Sequence, residues 1–441
     1  MPVKIKLKDE NFSGGMKMKK FISIFLSAVL IFTMFSTTAF AESNKVEFEG
    51  KTYDLSNKHP WIFVHGMGGW NKYGEEAYWG GWASSEGDVI DLYNSNGIEA
   101  YAATVGPFNS AWDRACELYA QLTGTVVDYG EAHSKEHNHD RYGYDYTGKP
   151  LMDEPWDMKE KINLVGHSFG GHTVRLFASL IAYGDEAEIA ATGDETSPLF
   201  KGGHKDVIYS VVTFSGVHNG SPIANLIHDS FLMTGIIALL NFAGAVFGSN
   251  VLMWDLPMGH MGLTPKQGED RAKFSLKTIK TVVEAQDNCG YDLTLRGAAE
   301  LNEKIKTVDS AYYYSYSCNS SYKTSCGTYL PIASNFAMFY LTSLYIGATE
   351  GKTIDGIYMD ESWAKNDGIV PLSSALYPAT DADNAKSYEE AVKAGEKIET
   401  GVWYYMPTME GFDHFDFCGT IDYPTTFEDF YFTLVETINK V

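Results

Sequence analysis

The sequence has 441 residues, of which 44% are hydrophobic and 14% aromatic, so it can bury a large core and is neither a disordered tail nor a fibrous repeat. Its 57 acidic residues outnumber the 34 basic ones, and the formal net charge is −23. A surface this negative repels polyphosphate, and no basic stripe offsets it, so a nucleic-acid partner is excluded.

The first recognisable segment is a targeting sequence. From Met16 a Lys-rich start leads into an uninterrupted apolar run, which ends in Ala-Phe-Ala at 39–41, the small-x-small pattern before a signal-peptidase cut. We therefore predict a signal peptide at 16–41, with residues 1–15 upstream of the true start codon, and a secreted, extracellular protein. An N-terminal membrane anchor is disfavoured because the cleavage pattern follows the apolar run directly.

Short apolar or aromatic runs alternate with helical patterns along the rest of the chain. Strands are predicted at 61–64, 161–165, 207–214, 312–316 and 403–406. The long crossovers between them favour a mostly parallel sheet. Between Phe169 and Tyr183 the apolar residues follow the i, i+3, i+4, i+7 spacing of a helix that packs on such a sheet. The predicted fold class is α/β, with helices flanking a mostly parallel central sheet.

One domain over 42–441 is expected, with insertions at about 70–150 and about 218–287. The second insertion contains Phe231–Trp254, an apolar run without a charged residue that is long enough to cross a bilayer. Motifs on both sides of this run belong to one site, and a membrane span would separate them. We therefore interpret the run as a helical lid or a buried helix pair and expect no stable transmembrane anchor.

The central motif is Gly166-His167-Ser168-Phe169-Gly170, a G-x-S-x-G sequence between a predicted strand and a predicted helix. This context is typical of the nucleophile elbow of the α/β-hydrolase fold, in which close packing requires both flanking glycines. An ordinary turn is the alternative, because the bare motif arises easily by chance. We predict that Ser168 is a catalytic nucleophile.

A serine hydroxyl needs a base to take its proton and an acid to orient that base. In this fold the chain order is Ser, then Asp or Glu, then His, and no histidine other than His414 follows His260. The base is therefore predicted as His414. For the acid we choose Asp367, because the following glycine permits a turn that aims the carboxylate inward. Asp360 and Asp413 remain alternatives, as does a plain Asp-Gly turn.

Acyl transfer to a serine also builds negative charge on the carbonyl oxygen, so two backbone N–H groups must be aimed at that oxygen. The sequence His-Gly-Met-Gly-Gly at 65–69 directly follows a predicted strand and resembles the HGGG-type donor loop of lipases and esterases. We assign the backbone donors to Met67 and Phe169. A phosphate-binding loop is disfavoured because no Lys-Ser or Lys-Thr pair follows.

Three histidines, His133, His137 and His139, lie close together in the first insertion. Taken alone, they fit a solvated polar loop as well as a metal site, because no cysteine accompanies them and two more ligands are needed. The five cysteines form no CxxC pair, although Cys318 and Cys326 flank a short loop and could bridge.

Several longer stretches resemble a known family. They are HGMGGW at 65–70, YWGGW at 78–82, VGPFNSAWDRACELYAQLTG at 105–124, VDYGEAHSKEHNHDRYG at 127–143, GHSFGG at 166–171, SPLFKGGH at 197–204, DNCGYDL at 287–293 and NDGIV at 366–370. They are similar to the secreted zinc-containing lipases of thermophilic bacilli and their clostridial relatives, and the resemblance runs through nearly all of the mature chain.

This resemblance implies a zinc site formed by Asp113, His133, His139 and Asp287, with His137 a bystander. Two imidazoles and two carboxylates complete a tetrahedral zinc without an open position, so the ion would be structural. The family also carries calcium near the catalytic histidine. Here Asp416 stands where the family has glutamate, and Asp422 is displaced by one residue, so the calcium match is weaker.

We therefore predict a secreted serine ester hydrolase of lipase type. The apolar lid favours water-insoluble esters, because such a surface is costly to expose except against lipid or polymer. The resemblance suggests that polyesters are substrates too. A small-ester esterase, a thioesterase or an amide hydrolase could use the same triad. A non-catalytic module that binds through Tyr78, Trp79 and Trp82 is disfavoured, because no triad residue is missing.

Overall fold

The computed structural model describes residues 45–56, 59–69, 77–80, 88–229, 286–419 and 427–440. The predicted signal peptide, the apolar run at 231–254 and Asp422 lie outside these residues. The chain divides into two compact units, 1–56 and 57–441. In the first unit, β1 (Lys45–Phe48) and β2 (Lys51–Asp54) form an antiparallel hairpin.

The second unit alternates strands and helices. Its described strands are β3 (Trp61–Val64), β4 (Ala100–Ala103), β5 (Val126–Asp128), β6 (Tyr142–Asp145), β7 (Ile162–His167), β8 (Ile208–Phe214), β9 (Tyr312–Tyr316), β10 (Cys318–Asn319), β11 (Ser321–Lys323), β12 (Tyr329–Pro331), β13 (Thr353–Ile354), β14 (Ile357–Tyr358), β15 (Ala385–Ser387), β16 (Trp403–Tyr405) and β17 (Met409–Glu410). Its described α-helices are α1 (Val89–Ser95), α2 (Ala111–Thr123), α3 (Glu131–His137), α4 (Gly170–Tyr183), α5 (Glu186–Thr192), α6 (Pro198–Lys201), α7 (Pro222–Asp229), α8 (Cys289–Asp292), α9 (Leu295–Lys304), α10 (Tyr340–Gly347), α11 (Glu361–Ala364), α12 (Leu372–Leu376), α13 (Tyr388–Ala394) and α14 (Phe427–Asn439).

The central sheet has seven strands in the order β15-β16-β9-β8-β7-β3-β4, and every neighbouring pair is parallel. The predicted α/β class and the five predicted strands are confirmed. The two edge strands were not predicted, because Ala-Tyr-Ala-Ala in β4 and Ala-Lys-Ser in β15 contain no β-branched residue. Since β4 and α2 lie within 70–150, that region contributes an edge strand of the sheet itself.

Helix α4 covers one face of this sheet. It confirms the helix predicted after the G-x-S-x-G motif, and nearly all of its side chains are buried. Ala115 and Leu118 of α2 belong to the same hydrophobic core as Phe177 and Ile181 of α4. Strands β3 and β7 are buried along their whole length, as expected where helices cover both faces of a parallel sheet.

The carboxyl ends of β3 and β7 meet at one edge of the sheet. Val64 is the last residue of β3 and lies opposite Gly166 of β7. The loop at 65–69 and the turn at Ser168 therefore leave the sheet side by side. Crevices at the carboxyl edge of parallel strands are where such folds bind ligands.

Candidate active site

Ser168 occupies a sharp turn between β7 and α4. Its φ of +57° lies in the left-handed region, which costs a residue with a Cβ about 1–2 kcal/mol. Its N–H donates to the carbonyl oxygen of Phe214 (2.9 Å), and its own carbonyl accepts from the N–H of Gly171 (3.0 Å). The neighbouring strand and helix thus hold the strained turn, and Ser168 lines a cavity.

The glycines on either side of this turn are required by close backbone approach. A Cβ at Gly166 would overlap the backbone of Gly170. A Cβ at Gly170 would in turn overlap the carbonyl oxygen of Val64 on β3. Both contacts are with main-chain atoms, which cannot move aside as a flexible side chain would, so the turn packs against β3 only with glycine at these positions.

His414 pairs with Asp367. Its Nδ1 lies 2.8 Å from Oδ2 of Asp367, and both side chains are buried. The backbone reinforces the pair, because the N–H of His414 donates to the carbonyl oxygen of Asp367 (2.9 Å). A carboxylate only accepts hydrogen bonds, so Nδ1 carries the ring proton and Nε2 is the basic nitrogen.

The turn after Asp367 fixes its carboxylate. Oδ1 accepts from the N–H groups of Ile369 (3.1 Å) and Val370 (2.8 Å), which leaves Oδ2 for His414. Gly368 has a φ of +112°, a conformation that favours glycine. The turn that the sequence suggested is therefore present and presents the carboxylate to the histidine.

The two alternative acids have other partners. Asp360 is exposed, and its carboxylate caps α11 by accepting from the N–H of Ser362 (2.9 Å). The carboxylate of Asp413 accepts from the backbone N–H groups of Phe336 (2.7 Å) and Phe415 (2.9 Å). The structure therefore brings His414 together with Asp367.

Ser168 and His414 line the same cavity, whose volume is about 250 Å³. The rest of its lining is mostly apolar and includes Val217, Leu293, Phe339 and Ile369. Met67 and Met338 also line it and are 42% and 65% exposed. A substrate in this cavity would meet hydrocarbon on most sides and polar groups at the serine and histidine.

The two predicted oxyanion donors lie beside Ser168. Phe169 precedes the first residue of α4, where backbone N–H groups have no partner within the helix. Met67 lies in the turn after β3, which is fixed by a bond from the N–H of Gly68 to the carbonyl oxygen of Pro107 (2.9 Å). Within the described residues, the N–H groups of Met67 and Phe169 donate to no protein acceptor.

A link that the sequence analysis missed joins this turn to the histidine loop. The hydroxyl of Tyr78 accepts from the N–H of Gly66 (2.9 Å) and lies 2.6 Å from Nδ1 of His167. Nε2 of His167 lies 2.8 Å from the carbonyl oxygen of His414. Burial and the neighbouring His414 lower the pKa of His167 well below its usual range, so the ring is neutral, with Nε2 donating and Nδ1 accepting. Apart from the position of His167 in the motif, no sequence pattern signals this link.

Tyr78 and Trp79 are buried. The aromatic surface proposed for a non-catalytic module therefore does not include these two side chains, and Trp82 lies outside the described residues.

Four side chains form a potential metal-binding cluster, Asp113, His133, His139 and Asp287. One ligand atom from each lies within 4.8 Å of the others. Nε2 of His133 is 3.3 Å from Asp113 and 3.4 Å from Asp287, and Nε2 of His139 is 3.3 Å from Asp287. His137 is not in the cluster, and its ring packs on that of His133 with centroids 4.4 Å apart.

The charges in this cluster depend strongly on one another. Burial and the charge of Asp287 raise the pKa of Asp113 to about 6. Burial alone would lower the pKa of His133, but the two facing carboxylates outweigh it and raise that pKa to about 10. A carboxylate pair this close and this buried is held together by positive charge, from protonated histidines or from a cation.

The calcium prediction has one residue within the described structure. Asp416 is buried, and its Oδ2 accepts from the N–H of Asp413 (2.7 Å). Its Oδ1 has no hydrogen-bond partner in the part of the chain that the structure describes. Burial and the charge of Asp413 raise the pKa of Asp416 to about 7. Asp422, the second predicted ligand, lies outside the described residues.

All five cysteines are free. Cys318 is buried and Cys326 is exposed, so the bridge considered between them is absent.

The central sheet is parallel, and Ser168 lies on the sharp turn that follows one of its central strands. A histidine-carboxylate pair lies at the same edge of the sheet. These features define an α/β-hydrolase fold. A family model, described as "Lipase-like, C-terminal domain", matches residues 57–441. The chain therefore belongs to this lipase-like family.

Individual relatives agree with this assignment. Lipase 2 of Staphylococcus aureus is 34% identical over 88% of this chain and 54% of its own length. The chain thus spans about half the length of the curated relatives it matches. The crystal structure of Staphylococcus hyicus lipase is 31% identical, with a TM-score of 0.74, and the match covers 87% of this chain and 97% of that one. The structure of EstA from Clostridium botulinum is 31% identical, with a TM-score of 0.72 and coverage of 87% and 88%.

Among the described residues, no helix has the length and apolar character needed to cross a bilayer.

Proposed function

We propose that the chain is a secreted serine ester hydrolase that acts as a triacylglycerol lipase on water-insoluble esters. The observation that carries the proposal is the apolar cavity lined by both Ser168 and His414, with His414 bonded to Asp367. The names of the relatives support it, since those from Staphylococcus aureus and Staphylococcus hyicus are called lipases. Export is supported by the leader pattern at 16–41.

Each residue has a role in this chemistry. Ser168 Oγ attacks the ester carbonyl carbon while Nε2 of His414 takes its proton. As the carbon–oxygen bond to the alcohol breaks, the same nitrogen returns the proton to the leaving oxygen. A water molecule then gives a proton to Nε2 as its oxygen attacks the acyl carbon. Nε2 returns that proton to Ser168 Oγ as the bond between this oxygen and the acyl carbon breaks, which releases the acid and restores the enzyme. Asp367 keeps Nδ1 protonated throughout and offsets the charge of the imidazolium.

The backbone N–H groups of Met67 and Phe169 are proposed to stabilise the negative charge that develops during the reaction. When the ester carbonyl becomes tetrahedral, its oxygen gains negative charge. The N–H groups of Met67 and Phe169 are proposed to donate to that oxygen. The start of α4 adds a favourable field, because the N-terminal end of a helix is partially positive.

The proposed substrate class is tested by hydrolysis of a tributyrin emulsion, a long-chain triacylglycerol emulsion and a soluble short-chain nitrophenyl ester. A lipase is expected to cleave both emulsions, because the apolar cavity has an apolar rim at Met67 and Met338. Cleavage of the soluble ester alone would instead identify a small-ester esterase. A soluble thioester and a polyester film, assayed beside the emulsions, test the thioesterase and polyesterase alternatives.

We further propose that the four-residue cluster binds zinc in a structural role. Among the described residues, Asp113 Oδ1 and Nε2 of both His133 and His139 are buried without a hydrogen-bond partner, as expected of atoms that face a cation. Two imidazoles and two carboxylates suit a closed tetrahedral zinc, which has no open position for a water. Bound zinc would stabilise the fold where α2 meets the segment at 287. A calcium ion at Asp416 is a further proposal, supported by its buried Oδ1, which has no hydrogen-bond partner among the described residues.

Removal of the metal is expected to lower stability. Purified protein should contain about one zinc per chain, and chelation should lower Tm by about 5 °C or more, since the ion binds the folded state alone. Metal content and thermal unfolding measure this. His139→Ala should lose the zinc and the chelator response, whereas His137→Ala should keep both. A metal-free preparation with unchanged Tm would refute the structural role.

A further inference from the structure

Arg114 on α2 is fully buried and bonds to the backbone of the turn after β3. Its guanidinium donates to the carbonyl oxygens of His65 and Gly66, the latter at 3.3 Å. Its Nε donates to the hydroxyl of Thr173 on α4 (2.9 Å), which fixes the plane of the guanidinium. A buried arginine thus holds two successive carbonyl groups of the turn.

His65 holds the same carbonyl oxygen of Gly66. Its Nε2 accepts from the N–H of Val105 (3.3 Å), so its Nδ1 carries the proton and donates to Gly66 (2.8 Å). Two side-chain donors, one of them charged, therefore fix the peptide group that joins Gly66 to Met67.

The direction of this carbonyl determines where the N–H of Met67 points. The carbonyl of Gly66 and the N–H of Met67 belong to one trans peptide group, in which the two bonds point in opposite directions. Because the carbonyl faces the buried guanidinium, the N–H faces away from it, and Met67 lines the cavity of Ser168. A cation on the carbonyl also polarises the amide and strengthens its N–H as a donor.

We propose that Arg114 is a positioning residue for ester hydrolysis, which aims the N–H of Met67 at the oxyanion of the bound ester. This inference rests on the proposed function. The guanidinium also lies over the ring of Phe169, 4.9 Å from its centroid, so one side chain contacts both the peptide group that carries the N–H of Met67 and the side chain of Phe169. Arg114 acts through these peptides and does not contact the substrate.

Arg114→Met is the test, because it removes every donor and keeps much of the side-chain volume. We expect kcat per active site to fall about 30- to 100-fold, somewhat less than the loss of a whole oxyanion donor, and KM to change less than about 3-fold. The rate of inactivation by an aryl phosphonate should fall in parallel, because its tetrahedral adduct uses the same donors. Active sites are counted by the phosphonate label at completion. Arg114→Lys, which keeps one charged donor, should recover part of kcat.

Arg175→Met is the matched control. Arg175, on α4, is a buried arginine like Arg114. It donates to Asn302 (2.9 Å) and not to the turn after β3. Both Met variants should lose stability, whereas only Arg114→Met should lose kcat per active site, with zinc content unchanged. Equal kcat in the two variants would overturn the inference. If Arg114→Met does not fold, Arg114→Lys and Thr173→Val replace it. Normal kcat in both of these variants would also overturn the inference.

Ser168→Ala separates this inference from the proposed function. Full activity in Ser168→Ala would overturn both. An inactive Ser168→Ala beside an Arg114→Met variant with normal kcat and a normal phosphonate rate would overturn the role of Arg114 alone.

Discussion

Ser168→Ala is expected to lower kcat for a soluble nitrophenyl ester by about 10⁴-fold or more, because it removes the oxygen that is proposed to form the acyl-enzyme. The substitution removes one oxygen atom, so the fold and metal content should be unchanged. Initial rates over a range of ester concentrations measure the effect. A soluble ester is chosen so that adsorption to an emulsion does not enter the rate.

Ser215→Ala is a matched control for that variant. Ser215 directly follows β8, the strand next to β7, and it is also a buried serine with a positive φ, +44°. It differs in that it is not part of the cavity lining. We expect Ser215→Ala to keep kcat within about 3-fold, as for a substitution outside the reacting groups. More than about 1% residual activity in Ser168→Ala would show that Ser168 is not the nucleophile.

Asp367→Asn is expected to lower kcat by about 10³- to 10⁴-fold. Oδ1 accepts two backbone N–H groups, so the amide oxygen of the asparagine should take that position. The amide NH₂ then faces Nδ1 of His414, which must become an acceptor. The ring proton moves to Nε2, and that nitrogen can no longer take the proton of Ser168. The pH profile of kcat and the Tm should accompany the rate measurement.

Asp360→Asn provides the comparison for Asp367. Asp360 was an alternative acid, yet it is exposed and caps α11. Asparagine is also a good N-cap, so the variant should keep activity within about 2-fold and Tm within about 1 °C. Normal activity in Asp367→Asn would assign the acid role to a different carboxylate.

The sequence predicted those parts of the site that depend on local pattern. The elbow could be found because the strand, the G-x-S-x-G motif and the helix follow one another directly in the chain. The glycines of the motif reflect the close approach of neighbouring backbone segments. For the acid, the sequence favoured Asp367 but left Asp360 and Asp413 as alternatives, because these carboxylates differ in which backbone N–H groups occupy their oxygens. That property appears only once the loops are folded.

The sequence alone could not predict which distant segments of the chain contact each other in the site. The link from Tyr78 through His167 to His414 joins three separate stretches. Arg114 on α2 bonds to the carbonyl oxygen of His65, which lies 49 residues earlier in the chain. Neither has a periodicity or a motif of its own. The two histidines of the metal cluster were visible as neighbours, whereas its two carboxylates came only from the family resemblance.

The four-residue cluster joins α2 to a segment far along the chain, in a protein whose five cysteines are all free. When an ion is bound there, the cluster ties distant segments together as a disulfide does in many exported proteins, but it stabilises the fold by binding the folded state and not by restricting the unfolded chain. Its formation requires no oxidant, and thiol reductants cannot break it. The resistance of the fold to unfolding should therefore be indifferent to redox conditions and should follow the supply of free metal instead.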